Sequence, residues 1–545
     1  MRGLMMDYQL TLPTLLNRAE SLYTHRQIVS RRPDKSIHRY TVGDFAQRAR
    51  RLAVALRKLG VDKGDRVGTL AWNHYQHLEA YLGVPAMGGV LHTLNLRLHP
   101  DDLTYIINHA DDRLILADAN LLPLLEKVLD RIDAERIVVM SQLPDGAAPP
   151  SLPDGMLDYE ELIAEADPGD YQVADLEEND AAAMCYTSGT TGMPKGVVYS
   201  HRSMILHALA LGLADMFGIS EHTVMLPVVP MFHVNAWGTP YVCLMLGAKQ
   251  VFPGSHLDPE SLCELFENEG VTTTAGVPTI WTGILEHLDA DPDRYDLSAL
   301  ELMIVGGAAA PPTMIRALEE RHDLQVMHAW GMTETSPLGT VSKVGPANDD
   351  LGPDQRLELR AKQGRMSPLV ELRARGDDGL VPWDGTTMGE LEVRGPWVAS
   401  AYHDSEQGIE NFTDDGWFRT GDIVSIDDQG YVRIEDRSKD LIKSGGEWIS
   451  SIALENALMG HPSIAEAAVI PVAHPKWSER PLAVVVPVEG HTMTLDQMRN
   501  YLSPHFASWW LPDALEITDT IPRTSTGKFK KLVLRETYKD YVLDS

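Results

Sequence analysis

Three cysteines stand in 545 residues, Cys185, Cys243 and Cys263, and no CxxC spacing joins them. A disulfide framework and a structural zinc site are excluded, and a reducing compartment is expected. Positive charge is also short: 47 Lys and Arg face 78 Asp and Glu, a formal charge of −31. That field opposes non-specific nucleic-acid binding and favours solubility, so an anionic ligand needs lysines and arginines gathered locally. The sequence has no internal repeat and no low-complexity tract. The amino-terminal MRGLMMDYQL reaches Asp7 before any apolar run of useful length, which argues against a secretory signal and for a cytoplasmic protein. Residues 223–248 carry no Asp, Glu, Lys or Arg, enough to span a bilayer by length, but Pro227, Pro230, Pro240, His233 and Asn235 break that reading. A buried strand and helix bordering an apolar site are expected there instead.

The chain is too long for one core, and its length suggests about three or four structural units. Helical and strand patterns alternate through most of it, the signature of parallel α/β layers. Residues 44–59 place Phe45, Leu52, Leu56 and Leu59 near one helical face, Gly60 stops them, and residues 66–72 read as a strand. Residues 259–269 read as a helix ended by Gly270, followed by a β-branched run at 271–274, and residues 302–305 as a strand broken at Gly306-Gly307. From about 364 to 398 short strands with turn signals indicate a smaller β-rich subdomain. Beyond GYVRIEDRSKD an α/β pattern restarts: a helix from about Ser451, strands at 467–472 and 483–486, and a helix opened by the capping box Thr494 to Gln497.

The densest chemistry lies in YTSGTTGMPKG, residues 186–196. Gly189 and Gly192 let backbone approach an anion, Thr187, Ser188, Thr190 and Thr191 add hydroxyl donors, and Lys195 brings a mobile positive charge. Lys195 is followed by Gly196 and preceded by Pro194, so this is not a Walker A loop. Its flanks read as strands, so the guest, a polyphosphate, would be held by a hairpin-like loop. A plain Gly/Thr-rich surface turn is the competing explanation.

Five further stretches follow in order: IVGGAAAP at 304–311, HAWGMTE at 328–334, FRTGD at 418–422, EDRSKDLIKSGGEWIS at 435–450 and PRTSTGKFKK at 522–531. With the loop they resemble the motif set of adenylate-forming enzymes, and the whole chain resembles an acyl-CoA synthetase. VVPMFHVNAW and DLIKSGGEWISS are similar to fatty-acyl-CoA synthetases of the medium-to-long-chain type and to bacterial 3-methylmercaptopropionyl-CoA ligases. The resemblance implies an α/β fold: an AMP-binding body over 1–436 with parallel sheets and a small β subdomain, and a mobile α/β domain over 437–545 hinged near Lys439. It implies ATP, Mg²⁺ and CoA as reaction partners, a small carboxylic acid as substrate, no nucleic acid, no membrane span, and a homodimer. Overall likeness favours 3-methylmercaptopropionate first, with medium-to-long-chain fatty acids next; a luciferase-like or carrier-loading enzyme is a remoter alternative.

Glu334 offers a hard carboxylate oxygen that suits Mg²⁺, and by resemblance Thr190 is its hydroxyl partner; alone, Glu334 reads equally as a solvated or capping acid. Thr333 is expected at the α-phosphate. Asp422 accepts only, which suits ribose hydroxyls, with Arg437 as its positive companion; a turn aspartate is the bland alternative. Gly306 and Gly307 would let adenine lie against bare backbone, and Trp330 offers a stacking face where the family more often has tyrosine, unless it is merely core. The nucleotide set extends to Ala308, His328, Ala329 and Gly331, and to Trp448 near the hinge. Lys528 is implied as the cation bridging carboxylate and α-phosphate, although a lysine beside Lys530 and Lys531 reads otherwise as solvated. About Lys439 the carboxyl-terminal domain would turn to bring Lys443, Gly445, Gly446 and Glu447 to the CoA path. His233, Val234 and Trp237 are expected to line the acyl pocket, though apolar packing explains them too.

Overall fold

The computed structural model describes residues 1–545 apart from 2, 145, 148–150, 188–192, 445–446, 524–528, 542 and 544–545. Ser188, Gly189, Thr190, Thr191, Gly445, Gly446 and Lys528 lie outside the described residues, as does the side chain of Glu447.

Alternating helices and strands build two large, mainly parallel sheets. One has seven strands, ordered Leu157–Asp158, Arg136–Met140, Asp112–Asp118, Arg66–Leu70, Val90–Thr93, Ala181–Tyr186 and Gly196–Ser200. Only its last pair is antiparallel, and that pair is the hairpin expected around the phosphate loop, in register Tyr186 to Gly196. The other has nine strands, with Val326–Gly331, Leu302–Val305, Thr273–Gly276 and Val224–Pro227 side by side in parallel at its centre. Central parallel strands are covered on both faces, which explains their unbroken apolar runs.

The helix Val42–Lys58 starts two residues before the apolar periodicity does, because Thr41 and Asp44 form a reciprocal capping box. The strand after Gly270 is Thr273–Gly276, shifted from 271–274 by its pairing of Thr273 with Leu302. Pro259–Glu269 and Leu302–Val305 form as read. In the uncharged run, Val224–Pro227 is a buried strand and Thr239–Leu246 a buried helix. No helix among the described residues is long and apolar enough to cross a membrane.

A five-stranded antiparallel sheet follows, ordered Gly379–Leu380, Glu371–Gly376, Gly389–Arg394, Phe418–Ile426 and Val432–Arg437. The carboxyl-terminal region has its own sheet, Glu447–Ile449, Ile442–Ser444, Ser478–Pro487 and Ile464–His474, with Ala514–Ile517 added in parallel. Helix Ser451–Met459 packs on it, and helix Leu495–Leu502 opens with the capping box at Thr494 and Gln497. The fold is α/β, as expected.

Among the histidines sealed in the body with little or no exposure are His77, His201 and His207. Backbone N–H groups donate to two of them, Leu12 to His201 Nδ1 at 3.2 Å and Leu338 to His207 Nε2 at 3.2 Å, which requires neutral acceptors. Burial pushes their pKa values down to about 3, 4 and 3 respectively. The unfolded chain therefore takes up protons that the folded one refuses, so stability present above about pH 6.5 is lost as pH falls toward 3–4. At pH 5 each histidine is expected to cost roughly 2 kcal/mol. Urea unfolding at pH 7 and pH 5 should show that loss, and His207→Gln should show less of it than the wild type; equal losses would refute the assignment.

Candidate active site

Asp422 is the centre of the site. Phe418–Ile426 carries it into the interior, where it is 2% exposed, and pairs it across the sheet with Arg437. Arg437 Nε lies 2.7 Å from Asp422 Oδ1, and Trp330 Nε1–H donates to Asp422 Oδ2 at 2.9 Å. Both carboxylate oxygens thus have a donor before any ligand arrives, and each retains a lone pair for a further hydroxyl. Trp330 comes from the nine-stranded sheet, at a bulge between Trp330 and Gly331 where Val326–Gly331 pairs with Leu338–Val341. Its indole therefore has two functions open to it, a flat face and a donor. Ala329 is buried beside it, Gly331 is half-buried, and His328 Nδ1–H donates to Ala361 O at 3.0 Å, with burial lowering its pKa.

Glu334 and Thr333 sit in a single 3-10 turn, Thr333–Thr335, just after that strand, both buried. The turn is tied to its surroundings on two sides. Tyr199 of the phosphate-loop hairpin donates to Thr333 O at 2.8 Å, and Ala399 N–H donates to Glu334 O at 2.7 Å. The Glu334 carboxylate accepts from Tyr402 OH at 2.7 Å. Burial raises its pKa, and the Tyr402 hydroxyl, then Arg437 and Lys195, oppose that rise. Among the described residues Glu334 has no ion-pair partner, so a buried oxygen donor faces the site without a cation of its own. That donor chemistry fits Mg²⁺.

The loop's neck is pinned: Thr187 N–H donates to Lys195 O at 2.9 Å and Lys195 N–H to Thr187 Oγ1 at 3.1 Å. Lys195 Nζ stands 4.8 Å from the centroid of the Tyr402 ring. Positive charge accumulates here despite the acidic chain. Burial, then Lys195, Arg535 and Arg437 lower the pKa of Lys439, which is itself exposed.

Trp237, His233 and Val234 lie in a loop of unusual hand. Val234, Asn235, Ala236 and Trp237 all have positive φ, between 46° and 56°, and Gly238 has 75°. The turn delivers the Trp237 indole to Gly306, where an added Cβ would come within 2.9 Å of the ring and 3.2 Å of Ala329 O. Trp237 thus lies along one side of the bare backbone at Gly306, the glycine expected to border adenine. Gly307 is half-buried and Ala308 exposed. His233 is half-buried and Val234 buried.

In the carboxyl-terminal region, Lys443 pairs across a short hairpin with Trp448, and Lys443 N–H donates to Glu479 Oε2 at 2.7 Å. None of their hydrogen bonds among the described residues reaches Asp422, Glu334 or Lys195. Sequence reading missed what holds this region: Arg480, donating to Ser444 Oγ at 3.0 Å and paired with Asp513, and the buried chain in which Lys531 donates to Ser451 Oγ at 2.6 Å and Ser451 to Asp436 Oδ2 at 2.6 Å. Glu455 completes it, 2.7 Å from Lys531. Arg535 donates to Lys439 O and pairs with Asp440 at 3.2 Å. Tyr402 was also missed; no motif brackets it.

Comparison with known proteins accounts for this arrangement. Residues 18–403 match the AMP-binding enzyme family, and residues 453–528 the AMP-binding enzyme C-terminal domain. The chain belongs to the AMP-binding enzyme family. It is an AMP-forming acid-thiol ligase, an acyl-CoA synthetase. The ligase is 50% identical to a long-chain-fatty-acid–CoA ligase of Thermus thermophilus, over 98% of this chain and 97% of the relative. It is 45% identical to 3-methylmercaptopropionyl-CoA ligase of Ruegeria lacuscaerulensis, over 99% of each, and 42% identical to a medium-chain-fatty-acid–CoA ligase of Ectopseudomonas oleovorans, over 100% and 99%. ATP-bound MatB from Rhodopseudomonas palustris superimposes with a TM-score of 0.81 at 27% identity, over 98% of this chain and 99% of that one. The anthranilate CoA ligase AuaEII with anthranoyl-AMP shares the fold, with a TM-score of 0.85 at 23% identity and 98% coverage of both.

In this ligase, Trp330→Phe keeps an aromatic face and deletes the donor to Asp422. Urea unfolding is expected to show a loss of about 2 kcal/mol, the range for a hydrogen bond to a charged group, and calorimetry a weaker affinity for ATP. No change in either would show that the Nε1–H bond contributes nothing.

Proposed function

We propose that this acyl-CoA synthetase joins 3-methylmercaptopropionate to CoA through an acyl-adenylate. In the first half-reaction the substrate carboxylate attacks the α-phosphorus of ATP, the bond to the β-phosphate oxygen breaks, and pyrophosphate leaves. In the second, the CoA thiol attacks the acyl carbonyl, the thiol proton passes to solvent, and AMP leaves. The observation that carries the nucleotide reading is the Asp422 carboxylate, buried between Trp330 and Arg437 with lone pairs left for two ribose hydroxyls. Trp330 supplies the stacking face for adenine. Glu334, with the hydroxyl of Thr190, would hold Mg²⁺, which neutralises phosphate charge when bound. Thr187, Ser188, Gly189, Thr191 and Lys195 cradle the β- and γ-phosphates, and Thr333 donates to the α-phosphate. Lys528 bridges the two anionic reactants as charge shifts between them.

The domain over 437–545 then turns about Lys439, exchanging Lys528 for the segment from Lys443 to Trp448. Beside that hinge Lys531 donates to Ser451 and Ser451 to Asp436, while Arg535 donates to Lys439 O. The resemblance also supports a homodimer, which light scattering would test.

One observation bears on the acid. Two relatives, at 45% and 44% identity, are 3-methylmercaptopropionyl-CoA ligases. A thioether is nearly a methylene in shape, so short fatty acids should react as well. The second reading, a long- or medium-chain fatty-acid ligase, is favoured by the 50% identity to the Thermus enzyme.

Thioester formation across methylthio, straight-chain and aromatic acids is the deciding measurement. The highest kcat/KM is expected for 3-methylmercaptopropionate, with butyrate and pentanoate close behind; a maximum at twelve carbons or more would select the second reading. For the two-step scheme, Lys528→Ala should lose acyl-AMP formation by a factor of about 100 or more, the scale for removing one group that stabilises transition-state charge. It should still convert supplied acyl-AMP and CoA to thioester. Equal loss of both halves would refute the exchange of domain faces.

A further inference from the structure

Tyr402 touches both charges on which nucleotide binding depends, and no motif contains it. It is 8% exposed, lies in the connection between Gly389–Arg394 and Phe418–Ile426 of the antiparallel sheet, and packs edge-on against Phe412 at 5.4 Å. Its hydroxyl donates to Glu334 Oε1 at 2.7 Å, and its ring face carries Lys195 Nζ at 4.8 Å from the centroid. Two backbone bonds fix this segment to both partners. His403 N–H donates to Gly196 O at 2.8 Å, at the end of the phosphate loop, and Ala399 N–H donates to Glu334 O at 2.7 Å.

The surroundings are shaped for the lysine. Gly408, at φ 82°, has no Cβ, and an added one would fall onto Lys195 Nζ and within 2.9 Å of the Tyr402 ring. Any side chain there would drive Lys195 off the ring. Among the described residues Lys195 makes no ion pair, although Glu334, an unpaired buried acid, shares the same tyrosine. Left in contact, an ammonium and a carboxylate in a buried site attract strongly, and an incoming magnesium-bound nucleotide would first have to separate them. An aromatic ring between them replaces that ion pair with two weaker contacts, a hydrogen bond and a cation–π contact. The hydroxyl engages one carboxylate oxygen and leaves the other available.

We propose that Tyr402 is a positioning residue that holds Glu334 and Lys195 apart and aims one at the metal and the other at the phosphates. The inference rests on the reading of Glu334 as the Mg²⁺ ligand. It gives Tyr402 two separable parts, the hydroxyl for the metal and the ring for the lysine.

The test uses the full-length protein and calorimetric binding of ATP with and without Mg²⁺, in the absence of any carboxylic acid so that nothing turns over. Tyr402→Phe should reduce the gain in ATP affinity produced by Mg²⁺ about tenfold, the effect of losing one hydrogen bond to a charged group. Its Mg²⁺-free affinity should stay within about twofold, since the ring remains. Gly408→Ala should do the reverse, weakening Mg²⁺-free ATP binding and leaving the Mg²⁺ gain intact. Glu334→Gln should abolish the gain, and adding Tyr402→Phe to it should remove nothing further. A wild-type Mg²⁺ gain in Tyr402→Phe, or additive losses in the double variant, would overturn the role of Tyr402. An undiminished gain in Glu334→Gln would instead remove the metal reading beneath it, and a wild type that binds no ATP would remove the nucleotide reading itself.

Discussion

The carboxylate of Asp422 is the point at which two independent sheets become one site. One oxygen is held from its own antiparallel sheet by Arg437, and the other from the nine-stranded sheet by Trp330. A buried carboxylate without donors would be expensive, so the two bonds are a condition of burial as much as a binding device. Because Trp330 and Asp422 are 92 residues apart, the pair also fixes how the antiparallel sheet sits on the body. The geometry of Glu334 follows, since its turn begins two residues after the strand that ends with Gly331.

Charge placement is the second constraint. A chain of −31 repels anions at long range, yet Lys195, Arg437, Lys439 and Arg535 share one neighbourhood. Like charges that close destabilise one another, and after burial they are the cause of the lowered pKa of Lys439. The fold spreads the repulsion by giving most of them a partner: Asp422 for Arg437, Asp440 for Arg535, and an aromatic face for Lys195. Deeper in the carboxyl-terminal region, Lys531, Ser451, Asp436 and Glu455 solve the same problem as a closed network. Burial there raises Glu455 to about 7 even with Lys531 beside it.

Much of this was legible in the sequence because it is local. Capping at Thr494 and Gln497, the stop at Gly270, and the two strands that flank residues 187–195 each depend on residues within a few positions, and each forms as read. What could not be read is contact across distance. Tyr402 is 68 residues from Glu334, and nothing in VASAYHDS marks its hydroxyl as a donor to a carboxylate or its ring as a seat for Lys195. The same holds for Arg480 under Ser444 and for Lys531 reaching Ser451 over 80 residues. Gly306 shows the converse: the need for a bare backbone was readable, but its neighbour, Trp237, was not.

The left-handed turn at Val234–Trp237 shows why the acyl side was least legible. L-residues avoid this conformation at roughly 1–2 kcal/mol each, so a sequence carrying Val, Asn, Ala and Trp there gives no local hint of it. It persists because its surroundings over-determine it: Cys185 Sγ donates to Asn235 Oδ1 at 3.2 Å, Thr239 Oγ1 to Ala236 O at 2.8 Å, and Gly238 N–H to Asn235 O at 3.0 Å. A right-handed turn at the same place would point the Trp237 indole along a different direction from its anchor at His233. The reversed hand is what carries the ring to Gly306, beside the strand that bears Trp330. Strain of this kind is retained where position matters more than stability. Here it sets the Trp237 ring against the bare backbone of Gly306.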